Sequence, residues 1–307
     1  MSANVLTGRR PFSQNDPFYK SWDFMKRSNI VQLVLSSTIV LLSVVSAKSA
    51  LLLSDLPNLS PLIPYTAFGN DIDLNLATVE GNTGVSANGT IKISGPSAIN
   101  GILNLDNSVG RSISGHVLGG IVTPVDLAAA QALVISASNT LAGFTPDYSL
   151  GNVTTGQTFN STGPVTVIDM QSLSLGGSSS ITLNGGPNDF FILNVAGKVA
   201  LNGSSIVGAG NIDPSHILIN LYDRSGNLGT AAHINNVLNG TVLVPFDSVT
   251  FHSMNGAVWA GDREVTFMSG ATLKNIPLVP EPSIISLLTI GVLLGGVATK
   301  RCRLARR

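Results

Sequence analysis

The sequence predicts a mainly β fold of stacked coils, a β-solenoid, with one long α-helix flanking it. Short segments alternating apolar and polar residues recur between glycines, a sixteen-residue block repeats in tandem, and one alanine-rich stretch carries helical spacing. Hydrophobic helices are expected at both chain ends, as targeting segments outside the fold.

At the N-terminus, Lys26 and Arg27 precede the apolar run 30–45, and Val45-Ser46-Ala47 offers small residues for cleavage after Ala47. A positive region, an apolar core and a small-x-small exit are the parts of a secretory signal peptide. The run is short for a membrane span, which takes about 20 residues. Residues 1–50 are therefore read as leader and signal, with translation starting at Met1 or Met25. Arg9-Arg10 lies too far from the apolar run to be read as a twin-arginine signal.

Residues 51–275 form the passenger. It holds six basic and fourteen acidic residues, a net charge of −8 that the neutral total of the chain conceals. Such a segment repels phosphate and has no basic stripe, so no nucleic-acid partner is expected. The single cysteine, Cys302, lies outside it, so no internal disulfide can form.

Segments such as Thr90-Ile91-Lys92-Ile93, Ser172-Leu173-Ser174-Leu175 and Lys198-Val199-Ala200-Leu201 alternate with period two and end at turn residues, the pattern of short strands. Asn-Gly corners fall at 88–89, 100–101, 184–185, 202–203, 239–240 and 255–256. Leu238–Ser253 and Met254–Ser269 align without a gap at seven identical positions, including the Asn-Gly corner and a Val-Thr-Phe strand. Leu183-Asn184-Gly185 recurs as Leu201-Asn202-Gly203, eighteen residues on. Repeats this short bury a core only by stacking on neighbours, whereas a β-sandwich has no reason to repeat its corners at this interval.

Thr123-Pro124-Val125-Asp126 opens the stretch 127–142, which Gly143 closes. Thr123 suits an N-cap, Pro124 the first helical position and Asp126 the positive end of the helix dipole. A helix over about 124–142 would turn Leu127, Val134, Ile135 and Leu141 to one side, to cover apolar solenoid surface.

With these elements in order, the passenger resembles the choice-of-anchor A, or collagen-binding-like, family and is similar to the bacterial ice-binding β-solenoids. The resemblance rests on Thr90-Ile91-Lys92-Ile93, Thr123–Ala130, Phe190–Val195 and the tandem coils Asn239–Pro245 and Asn255–Gly261. It implies a right-handed winding, display at the cell surface, and no catalytic site.

Residues 276–307 complete the chain. Pro280-Glu281-Pro282 is followed by the apolar run 283–298 and then Lys300, Arg301, Arg303, Arg306 and Arg307. The prolines stop regular structure, the run would enter the bilayer as a helix, and the cationic cluster would stay cytoplasmic. This order resembles the PEP-CTERM sorting signal of Gram-negative bacteria. The resemblance implies recognition by an exosortase-like enzyme after the export machinery, with transient inner-membrane anchoring before the protein reaches the outer surface or medium.

Chemistry is sparse. His116, His216, His233 and His252 lack metal-ligand spacing, Asp213-Pro214-Ser215-His216 reads as a turn rather than a triad, and Asp262-Arg263-Glu264 as a solvated corner. No catalytic residue, metal or cofactor is expected; a carbohydrate-active enzyme ranks last. Thr250 and Thr266 occupy one position of consecutive coils, flanked by Val249 and Phe251 or Val265 and Phe267. With the larger residues inside, the threonines would stack outward about 4.7–4.9 Å apart. Thr166 and Thr182 are expected to add rungs. Such a ladder suits ice, but the first expectation is an adhesive or structural role toward polysaccharide or another surface protein, with ice binding as the alternative. Intact-mass analysis of protein from native cells should show a chain that starts after Ala47 and lacks the residues beyond Pro282; a retained Arg307 would refute processing.

Overall fold

The computed structural model describes residues 51–222 and 230–278. Ala47, the Pro280-Glu281-Pro282 motif and both expected terminal helices lie outside these residues. Among the described residues no helix is long and apolar enough to cross a membrane.

The strands pair in parallel throughout, as stacked coils require and hairpins do not. Each coil contributes to three faces. Face A contains Phe190–Val195, Ile217–Leu221, Thr241–Val244 and Val258–Ala260. Face B contains Val199–Asn202 and the first halves of Ser248–Asn255 and Glu264–Lys274. Face C contains Gln157–Asn160, Ser180–Asn184 and Ser205–Ala209, then the second halves of Ser248–Asn255 and Glu264–Lys274, then Thr78–Glu80 and Ala98–Ile99.

The stack does not follow chain order. Tyr65–Asn75 pairs on one side with Asn82–Ser94 and on the other with the last coil, Ala67 against Val258 and Ile72 against Val265. The N-terminal coils thus extend the stack beyond the C-terminal one. Trp259 fastens this seam: its indole is buried and donates to the Tyr65 carbonyl at 2.8 Å.

Inside the coils, side chains of like size stack rung on rung. Phe251 and Phe267 are register partners whose ring centroids lie 4.6 Å apart, a contact worth about 0.5–1.5 kcal/mol beyond burial. The tandem repeat is therefore a true coil, and its sixteen-residue period holds from the Asn239–Asn255 corner through faces A and B, then fails after Phe267. On face C, Ser253 meets Thr272 and Met254 meets Leu273, because the last coil spends three extra residues turning the corner. The eighteen-residue pair is not coil on coil: Leu183 belongs to face C and Leu201 to face B.

The helix, α1, spans Ala128–Ala142, four residues shorter at its start than the sequence suggests. Residues before it still belong to the end coil: the Val125 amide donates to the Leu105 carbonyl and the Thr123 hydroxyl accepts from Arg111. Asp126, one residue before the N-cap Leu127, accepts from the Ala128 amide at 3.0 Å. Leu127, Ala130, Val134, Ala137, Ser138 and Leu141 are buried, while Ile135 is only half-buried. Fifteen residues span about 22 Å, enough to cross the four central strands of face A, which α1 contacts. Face A is consequently buried on both sides, and Phe190–Val195 and Ile217–Leu221 are buried at every position. Its polar residues are paired with the helix: Asn194 donates to the Leu141 carbonyl at 2.8 Å, and Asn220 to the Ser138 carbonyl at 3.0 Å and to Asn194 Oδ1 at 2.9 Å. The Ser138 hydroxyl donates to Asn220 Oδ1.

The corner between faces C and A is built from glycine. Gly185, Gly210, Gly240, Gly256, Gly81 and Gly101 each follow a face C strand. Gly240 and Gly256 have φ of 116° and 150°, and a side chain on Gly256 would collide with the Gly240 carbonyl below it. Two outcomes are expected in chemical unfolding. Gly256→Ala should cost about 1–3 kcal/mol through strain and collision, whereas Gly176→Ala, with open space around it, should stay within about 0.5 kcal/mol. Asn220→Leu should cost about 1–3 kcal/mol by leaving buried helix and strand groups unpaired; a neutral result would deny that this network fixes α1.

Candidate functional site

Face C presents two outward columns on alternate residues of each strand. Along the first, Thr158 pairs with Thr182 and Thr182 with Val207. After a break in the pairing, the column resumes with Ser253, Thr272, Thr78 and Ala98 in register. The second column lies two residues on: Asn160, Asn184 and Ala209, then Asn239, Asn255, Lys274 and Glu80. The residue between the columns points into the core at each described rung except Gly208, as Phe159, Leu183, Leu238, Met254, Leu273, Val79 and Ile99 do. Strand geometry then spaces the grid at about 4.8 Å between rungs and about 6.7 Å between columns.

The asparagines lock the grid. Asn184 donates to Asn160 Oδ1 at 2.8 Å, Asn255 donates to Asn239 Oδ1 at 2.9 Å, and Asn239 reaches across the break to the Ile206 carbonyl at 3.2 Å. The coils at 182–185, 253–256 and 98–101 follow a small residue, an apolar residue, an asparagine and a glycine. The small residue sits outward because the apolar one is inward, and the asparagine because the glycine corner follows at once. Four of the six Asn-Gly pairs, at 100–101, 184–185, 239–240 and 255–256, follow face C strands; reading two residues back from Asn184 and Asn255 finds Thr182 and Ser253 as outward positions.

Only part of the expected threonine ladder forms. Thr250 and Thr266 are register partners, half-buried, above inward Val249, Phe251, Val265 and Phe267. They lie on face B, where the next rungs are Asp73 and Lys92, joined at 2.9 Å as an ion pair. Lys198, Glu264 and Asp71 add further charge to that face. Thr182 belongs instead to face C, beside Thr158. Thr166 is a correction: it is fully buried on face A, pairs with Phe191 and accepts from the Thr162 amide at 2.9 Å. The helix covers Val165 and Val167 from outside, so alternation turns Thr166 inward.

Asp213 closes a short turn, Pro214–His216, accepting from the Ser215 amide at 2.9 Å. That backbone bond, with the Ser215 side chain and nearby His216, holds the Asp213 carboxyl below its ordinary value. His216 Nδ1 instead meets Ser215 Oγ at 3.2 Å. Among the described residues, no three His, Cys, Asp or Glu side chains gather as a metal site.

A family model described as an ice-binding-like adhesive domain matches residues 59–269. No curated protein matches the chain. Among solved structures, an ice-binding protein from the Antarctic ascomycete Antarctomyces psychrotrophicus is 18% identical, covers 71% of this chain and 97% of its own, and has a TM-score of 0.50. An ice-binding protein from an Antarctic biological consortium is 17% identical over 72% of this chain and 91% of its own, with a TM-score of 0.48. A glycosylated ice-binding protein from Arctic yeast is 20% identical over 74% and 96%, with a TM-score of 0.47. The first of these shares the fold, a β-solenoid with one helix.

Proposed function

Because this chain belongs to the family of ice-binding-like adhesive domains, we propose that it binds ice through face C. The carrying observation is the two-column grid of small hydroxyl, methyl and amide groups, in register on either side of one break and carrying, among the described residues, two charges, Lys274 and Glu80. Each threonine offers a methyl group and a hydroxyl to water at a repeated position, and each asparagine a fixed amide. Each such hydrogen bond is worth only about 0.5–1.5 kcal/mol net; a rigid row of them engages a lattice together, as multivalent contacts do. Face A is covered by α1, and face B carries charges that hold water in their own shells. An adhesive or structural role stands first on sequence alone, but the family description and the solved ice-binding relatives support ice better.

The protein acts, on this reading, without catalysis or cofactor, outside the cell, after export and PEP-CTERM sorting. Leu59, Leu62 and Leu278 are buried with α1 against face A. Adhesion then means holding ice, or a polysaccharide of similar regularity, at the surface.

Ice-recrystallisation inhibition by the mature protein tests this. Wild type should inhibit. Thr182→Arg with Thr272→Arg should raise the required concentration by on the order of tenfold or more, as expected when a multivalent contact loses central members. Thr250→Arg with Thr266→Arg should leave it unchanged. The opposite pattern would move the site to face B, and no inhibition by folded wild type would end the ice reading.

A further inference from the structure

The two charges on face C fall together. In the second column the register runs Asn239, Asn255, Lys274, Glu80, and Asn100 follows, since Val79 pairs with Ile99. An asparagine column is therefore interrupted at two consecutive rungs, where the last coil meets the first. Both residues are exposed, and no ion pair between them is found among the described residues, in contrast to Lys92 and Asp73. Their stems are longer and more flexible than an asparagine's, and their exposed charged heads are strongly hydrated. They replace two members of a column that is held on the neighbouring rungs by an amide-to-amide hydrogen bond from Asn255 to Asn239.

We propose that Glu80 and Lys274 set the strength of the ice contact by dividing face C into two shorter neutral panels. This rests on the ice reading and names the residues that limit it. Their placement has a structural counterpart. The seam joins strands distant in sequence, and opposite charges on neighbouring rungs favour the correct register over a slipped one. The charges thus help assemble the seam and restrain the surface that crosses it.

The test compares thermal hysteresis and the thermal unfolding midpoint for the mature wild type, E80N/K274N, and a D73N/K92N control that removes a charge pair from face B. The double variant restores the asparagine column and should show hysteresis severalfold above wild type at equal concentration, with an equal or slightly lower midpoint. The control should keep wild-type hysteresis. An active wild type with a folded double variant no better than it would overturn the inference and leave the ice reading intact. If the double variant does not fold, E80N and K274N singly should each give a partial gain, and no gain in either is equally contrary. Inactivity of wild type and folded double variant alike would remove both; activity in the double variant alone would support the inference.

Discussion

Parallel strands stacked one rung apart leave no room for a side chain at the sharpest corner, and the rest of this molecule follows from that constraint. At the C-to-A corner the backbone of one coil lies directly on the next, so Gly256 rides on the Gly240 carbonyl. A glycine there allows the chain to turn without spreading the rungs. The asparagine before it can then bond its counterpart one coil away, and the residue two before that asparagine is held in line. The binding grid is thus a consequence of how the corner is closed.

The three faces share one core but meet different surroundings, and burial sorts their functions. Face A is sealed by α1, whose serine and backbone carbonyls satisfy Asn194 and Asn220. The same helix returns the chain from the end coil at Val122 to the opposite end at Tyr148, which lets the N-terminal coils stack on the C-terminal one. Face B collects the ion pair and most of the facing charge. Face C is left with small neutral residues apart from Lys274 and Glu80.

The sequence made the coil architecture legible because repetition leaves a mark. Asn239-Gly240 and Asn255-Gly256 sit on consecutive rungs, and Thr250 stacks on Thr266. Alternation gave the inward residues of these strands, and the alanine-rich run gave the helix. What it could not give was which outer face a threonine joins. Thr166 lies in an apolar triplet like Thr182, yet a helix packs outside its strand and inverts the alternation. The extra residues of the last coil hid the pairing of Ser253 with Thr272. The seam was invisible as well, since Trp259 bonds Tyr65 from 194 residues away and neither strand resembles the other.

The central claim is that the mature protein recognises ice as a surface. Growing a slowly cooled ice ball in a dilute solution of the labelled protein measures this directly, by comparing its concentration in the ice with that in the remaining liquid. Incorporation into the ice well above that of a similarly sized non-binding protein is the predicted result. Exclusion into the liquid to the same extent as that control would contradict the account.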